Sequence, residues 1–200
     1  MKKVLLFICL GFSVFAQSNK AISLIDGMQK KYKAMGSFSA NFTYQTEGAA
    51  TMSGSITVKG TKFRLKTAGQ EIFNNGKEVA TYIKEINEVN ISNFDPSEGD
   101  LNPAKIYSFD KKAYKIELKG ESAGVSTVEL SPVAKATQVK SITLKINSKD
   151  LSVKEWTILN KAGKKQYFKV AKLNPKANAD DKLFSFDKKV FPGVEVNDLR

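Results

Sequence analysis

The chain has 200 residues, no histidine, one cysteine and a formal net charge of +12. With Cys9 close to the start, the rest of the chain has no disulfides, no thiolate nucleophile and no histidine acid–base chemistry, and it lacks the usual ligands of zinc and copper. The positive charge is almost all lysine, with Arg64 and Arg200 the only arginines, and it is scattered, whereas a nucleic-acid site gathers arginines and stacking aromatics; it reads as a solvated basic surface.

Residues 1–16, MKKVLLFICLGFSVFA, read as a secretory signal. Lys2 and Lys3 give the positive start, Val4 to Phe15 the apolar run, and Val14-Phe15-Ala16 the cleavage site. The run is shorter than the ~20 residues a membrane-spanning helix needs. Ile8 before Cys9 does not fit a lipid-attachment signal. Residues 17–200 are then one domain.

Residues 19–35 predict the one long helix. Ile22, Leu24, Ile25, Met28, Tyr32 and Met35 recur at helical spacing, Asn19 is placed to cap the start and Gly36 to end it. From Ser37 the period changes to two, with Phe38, Ala40, Phe42 and Tyr44 on one face. The alternation continues through residues 54–60 and 62–67 and into a hairpin turned at Asn75-Gly76. Residues 94–110 break the pattern; Asp95, Ser97, Pro96 and Pro103 suggest one or two short helices, with Leu101, Ile106, Tyr107 and Phe109 supplying apolar contacts. Strands resume at 113–120, 125–132, 138–147, 152–160 and 165–173, and the closing FPGVEVNDLR reads as a last docked strand.

The fold expected is mainly β: about eleven antiparallel strands, curled because a sheet this wide does not stay flat, covered by the N-terminal helix and the short helical insert. Phe38, Phe42, Tyr44, Met52, Ile56, Val58, Phe63, Leu65, Ile72, Tyr82, Leu144, Ile146, Trp156 and Ile158 are assigned to one apolar face. The plain reading is a filled core beneath the helices; the functional one is a cavity for a greasy ligand. Periodicity does not separate the two. Leu24, Ile25, Met28, Leu101, Ile106 and Phe109 would form the lid. Asp95, Glu98 and Asp100 lack the glycine-spaced pattern of a calcium loop, no serine sits in a nucleophile elbow, and no paired acids stand out for a glycosidase. No cofactor, metal or catalytic residue is assigned.

Several phrases, in order, resemble one family. Residues 37–45, SFSANFTYQ, are similar to the "SFxAxFxQ" stretch of the LolA carriers; Gly54 with Phe63-Arg64 to their "G…FRW"; residues 72–82 to "IxxDGKxxWxY"; and residues 191–200 to "PPGVxVxDLR". The resemblance implies an incomplete, half-open antiparallel β-barrel with a helical lid over an apolar cavity. It implies a monomeric periplasmic protein that takes acylated lipoproteins from an inner-membrane ATP-driven releasing complex to an outer-membrane acceptor. Two departures are visible. Leu65 and Ala80 stand where the family has tryptophan, and Lys59-Gly60-Thr61 stands where many members have a turn arginine linked to lid closure and transfer, so that role is not carried over. Arg64 is named as the polar candidate for a transfer role. Other readings on the same residues are a carrier or sensor of another lipid or lipid-linked product, and a structural β protein that holds no ligand.

Overall fold

The computed structural model describes residues 12–95 and 105–200, with side chains from Asn19 onward. The helix α1 (Phe12–Ala34) is followed by β1 (Ser37–Thr46), β2 (Met52–Lys59), β3 (Lys62–Lys66), β4 (Gln70–Asn74), β5 (Glu78–Ile83) and β6 (Glu88–Asn93). After a connection come β7 (Tyr114–Ser122), β8 (Val125–Pro132), β9 (Val139–Asn147), β10 (Val153–Asn160) and β11 (Lys165–Asn174), and last β12 (Glu195–Asp198). All belong to one twelve-stranded sheet in the order β12-β6-β5-β4-β3-β2-β1-β11-β10-β9-β8-β7. It is not closed into a barrel: β12 and β7 are its two edges.

The sheet is two meanders fused edge to edge. β1–β6 pair with their sequence neighbours, β7–β11 do the same, and β11 joins β1 antiparallel. Every pairing is antiparallel except β12 with β6, which is parallel. β12 is the strand that closes the chain: Val196 sits opposite Val89, and Arg200 reaches back to Glu78 at 2.6 Å.

This order forces two long crossings. β6 and β7 lie near opposite ends of the sheet, so the connection between them must traverse a face. Its described part carries Ile106, Tyr107 and Phe109 into the cluster beneath α1. Likewise, the chain from β11 to β12 crosses the opposite face and brings Phe184, Phe186, Phe191 and Val194 inward. The sheet is thus apolar on both faces where both are covered.

Three expectations change. The described residues form twelve strands where about eleven were expected; residues 195–198, expected as the last docked strand, pair parallel with residues 88–93. α1 begins at Phe12, so Asn19 lies inside the helix and caps nothing. The described part of the insert is a turn at 105–108 followed by a 3-10 turn, Lys111–Ala113, capped by Asp110, whose carboxylate accepts the Lys112 N–H at 3.0 Å. Leu101, Pro96, Ser97, Pro103, Glu98 and Asp100 lie outside the described residues, as do residues 1–11 of the predicted signal. At its other end α1 stops as expected. Gly36 takes φ +67°, a left-handed conformation that costs glycine nothing, and the chain turns directly into β1.

The outer crossing is pinned by charge. Asp181, at the start of the 3-10 turn Asp181–Phe184, accepts from Lys59 and Lys62 of the β2–β3 hairpin, each at 2.9 Å. The hydrogen bonds from Lys62 and then Lys59 hold its carboxyl down at about 2, against an ordinary 3.8. A depressed carboxyl stabilises the fold above its unfolded value and loses that contribution as pH falls through its folded one. The Tm advantage of the parent over Asp181→Asn should therefore be constant above about pH 5, shrink between about pH 4 and 2, and fall with added salt. A gap independent of pH would rule out the charge as its source.

Candidate functional site: the apolar inner face

β1 organises the inner face, the one on which α1 packs. Phe38, Ala40, Phe42 and Tyr44 sit opposite Val58, Ile56, Gly54 and Met52 of β2. Val58 and Ile56 sit opposite Phe63 and Leu65 of β3, and Leu65 opposite Ile72 of β4. In the other direction, Phe42 and Tyr44 sit opposite Val170 and Phe168 of β11, Phe168 opposite Trp156 of β10, and Trp156 and Ile158 opposite Leu144 and Ile142 of β9. Directly paired residues point to the same side of a sheet. One apolar band therefore runs unbroken from β4 to β8.

The band divides into two clusters. Under α1, Leu24, Ile25 and Met28 pack with Phe38, Leu144, Ile146, Trp156, Ile158, Ile106 and Phe109. Beside it, Phe42, Ile56, Phe63 and Leu65 form a second cluster with the partly buried Tyr44 and Ile72. Among the described residues, the second cluster contains none from α1. Val58, Phe168, Val170 and Leu173 border both. The β11 residues were missed in the sequence reading, although KQYFKVAKL alternates Phe168 and Val170 with lysines and would have identified them.

Packing in the second cluster depends on a glycine. A Cβ built on Gly54 would lie 2.5 Å from Phe42 Cζ, 2.7 Å from its Cε2 and 2.9 Å from the Lys66 carbonyl oxygen. The far edge of the Phe42 ring occupies the space that a side chain at position 54 would need, which explains the glycine there. Next to it, Trp156 and Phe168 stack with centroids 4.8 Å apart and planes 5° from parallel, and Tyr44 stacks on Phe168 at 6.3 Å. Tyr44 Oη touches Met52 Sδ at 3.5 Å, and Met52 is 37% exposed, so this row of rings runs from the interior to solvent.

α1 is tied to the sheet and its connections from Lys20 to Tyr32. The Val153 N–H donates to Tyr32 Oη at 3.2 Å, and Gln29 Nε2 donates to the Phe109 carbonyl at 2.8 Å. Lys20 pairs with Glu121, and Lys111 with Asp26. Burial pushes the Tyr32 phenol up to about 12 and raises Tyr107 too. Both stay neutral at physiological pH, so neither brings charge to the band.

Two assigned residues lie elsewhere. Tyr82 pairs with Glu71 and Val89 and faces outward, where its ring meets Phe191 at 4.5 Å. Arg64, between the inward Phe63 and Leu65, is turned outward by the same alternation. It pairs with Glu71, which Lys66 also reaches at 3.2 Å, and its guanidinium lies 4.7 Å from the Phe73 ring centroid. Glu71 is 6% exposed, so Arg64 neutralises a buried carboxylate and is not on the apolar face.

The fold is thus an open, almost wholly antiparallel sheet with a helix docked over part of a continuous apolar face. A family model, the outer membrane lipoprotein carrier protein LolA, matches residues 33–187, and the chain belongs to the LolA family. Proteins of this family are periplasmic carriers and not enzymes. A comparison with curated proteins finds no match. Among solved structures, an uncharacterized conserved protein from Thermus thermophilus superimposes with a TM-score of 0.62 at 14% identity, covering 90% of this chain and 99% of the other. A domain assigned to outer membrane lipoprotein sorting, from Vibrio parahaemolyticus, gives 0.52 at 12%, with 87% and 99% covered. MucB gives 0.50 at 16%, with 85% of this chain and 64% of MucB covered. At these identities the likeness is one of fold. No helix among the described residues is long and apolar enough to cross a membrane.

Proposed function

We propose that the protein carries lipoproteins across the periplasm, shielding their acyl chains against the inner face. It would receive them from an inner-membrane ATP-driven releasing complex and pass them to an outer-membrane acceptor, acting as a monomer. The N-terminal signal would be cut after Ala16, leaving α1 to start at Gln17. The observation that supports this most is the second apolar cluster, Phe42, Ile56, Phe63 and Leu65, continuous with the helix-covered half but without a helix of its own among the described residues. Each methylene moved from water onto such a face gains about 0.8 kcal/mol, so two or three long chains supply a large driving force. α1, docked by one apolar stripe and a few polar ties, is the element whose movement would enlarge the face.

The test is release of lipoproteins from spheroplasts. The purified parent should bring acylated lipoproteins into solution bound to itself. Met52→Glu, at the exposed end of the face, should release several-fold less while remaining folded, because a charge is costly beside acyl chains. A folded parent that releases none would overturn the lipoprotein role. Native mass spectrometry would then separate a carrier of smaller lipids from a structural protein that holds no ligand.

A further inference from the structure

Trp156 is fully buried, and its indole Nε1 has no hydrogen-bond partner among the described residues. An indole N–H only donates, and leaving one unmade in a core costs about 1–3 kcal/mol; phenylalanine would fill the space without that loss. The ring cannot turn its nitrogen to water, because it is stacked on Phe168 and packed near Phe42, 6.5 Å away, with Leu144 opposite on β9. A trapped water needs two to four polar partners, and these neighbours are apolar. The ring lies close to the second cluster: Trp156 belongs to the helix-covered one and Phe42, its ring centroid 6.5 Å away, to the other. The row Trp156, Phe168, Tyr44 connects it to the exposed Met52.

We propose that Trp156 Nε1 binds the carbonyl oxygen of an ester joining an acyl chain to glycerol, so that the protein recognises acyl esters and not merely hydrocarbon. This rests on the carrier reading above. The chemistry selects a neutral acceptor: a lone N–H in apolar surroundings does not repay the desolvation of a carboxylate or phosphate. It also selects an acceptor attached directly to the chain that fills the face, which in an acylated glycerol is the ester carbonyl.

The test compares two synthetic lipopeptides that differ only in whether two sixteen-carbon chains are linked to glycerol by ester or by ether. The ether analogue lacks the carbonyls and is the greasier of the two, so simple partition would favour it. Affinity is measured by displacement of a naphthalene dye from the whole protein. The parent should bind the ester roughly tenfold more tightly, and Trp156→Phe should bind both about equally, near the parent's affinity for the ether. Trp156 is the only tryptophan, so the parent's own emission gives a second readout that needs no variant: it should shift to the red with the ester and less with the ether. A parent without ester preference, or a folded Trp156→Phe that keeps it, overturns the proposal while leaving the carrier reading intact. Failure of both lipopeptides to bind overturns the carrier reading first.

Discussion

Phe42→Ala should destabilise the protein by about 3–5 kcal/mol, and Gly54→Ala by about 1–3 kcal/mol. The first removes a ring that is 2% exposed at the centre of the second cluster. The second inserts a methyl group 2.5 Å from the same ring. The two losses should not add. With the ring gone, the new methyl group partly fills the space it occupied, so the double variant should be more stable than the sum predicts by about 0.5–3 kcal/mol. Recovery should stay incomplete, because the Lys66 carbonyl is backbone, lies 2.9 Å from the same methyl position and cannot swing away. Urea unfolding of the four proteins measures the cycle. Strict additivity would mean that Phe42 and Gly54 do not share their space as described.

Ile25→Asp should release α1 from the sheet. Ile25 is fully buried in the helix-covered cluster. The substitution removes its packing and places an uncompensated carboxylate there, a loss on the order of 3–5 kcal/mol. The sheet ladders do not depend on the helix, so the effect should be local. Amide exchange should accelerate in α1 while β1, β9 and β10 stay protected, and an apolar dye should bind the uncovered band. Global unfolding instead would mean that α1 is an integral part of the core and cannot be the moving cover. The same variant should alter ligand uptake if the helix gates the face, which connects the stability result to the release assay.

These variants probe features that the sequence discloses unequally. The face that Phe42 belongs to follows from two-residue alternation, and Phe38, Ala40, Phe42, Tyr44, Ile56, Phe63 and Leu65 were all placed on it correctly. Tyr82 was not. In EVATYI, both Ala80 and Tyr82 on one side and Val79, Thr81 and Ile83 on the other are compatible with burial, because the crossing from β11 to β12 covers the outer face there. Once both faces are covered, alternation no longer says which is which. Arg64 was readable, since Phe63 and Leu65 flank it and force it to the other side. Its partner Glu71 lies on the neighbouring strand, and no local pattern pairs them.

By itself, the sequence determined the class of fold, the α1 stripe, most of the strands and the residues that share each strand's inner side. These follow from the 3.6- and two-residue periods of neighbouring side chains. Only the tertiary structure decided the rest: that β11 closes onto β1, that β12 lies parallel to β6, that α1 covers one part of the continuous apolar band and, among the described residues, contributes nothing to the other, and that the Trp156 N–H has no partner among those residues. These depend on contacts between residues more than a hundred positions apart, such as Phe42 with Val170 and Val196 with Val89. Periodicity states which way a side chain points from its own strand, and strand order states what it meets there.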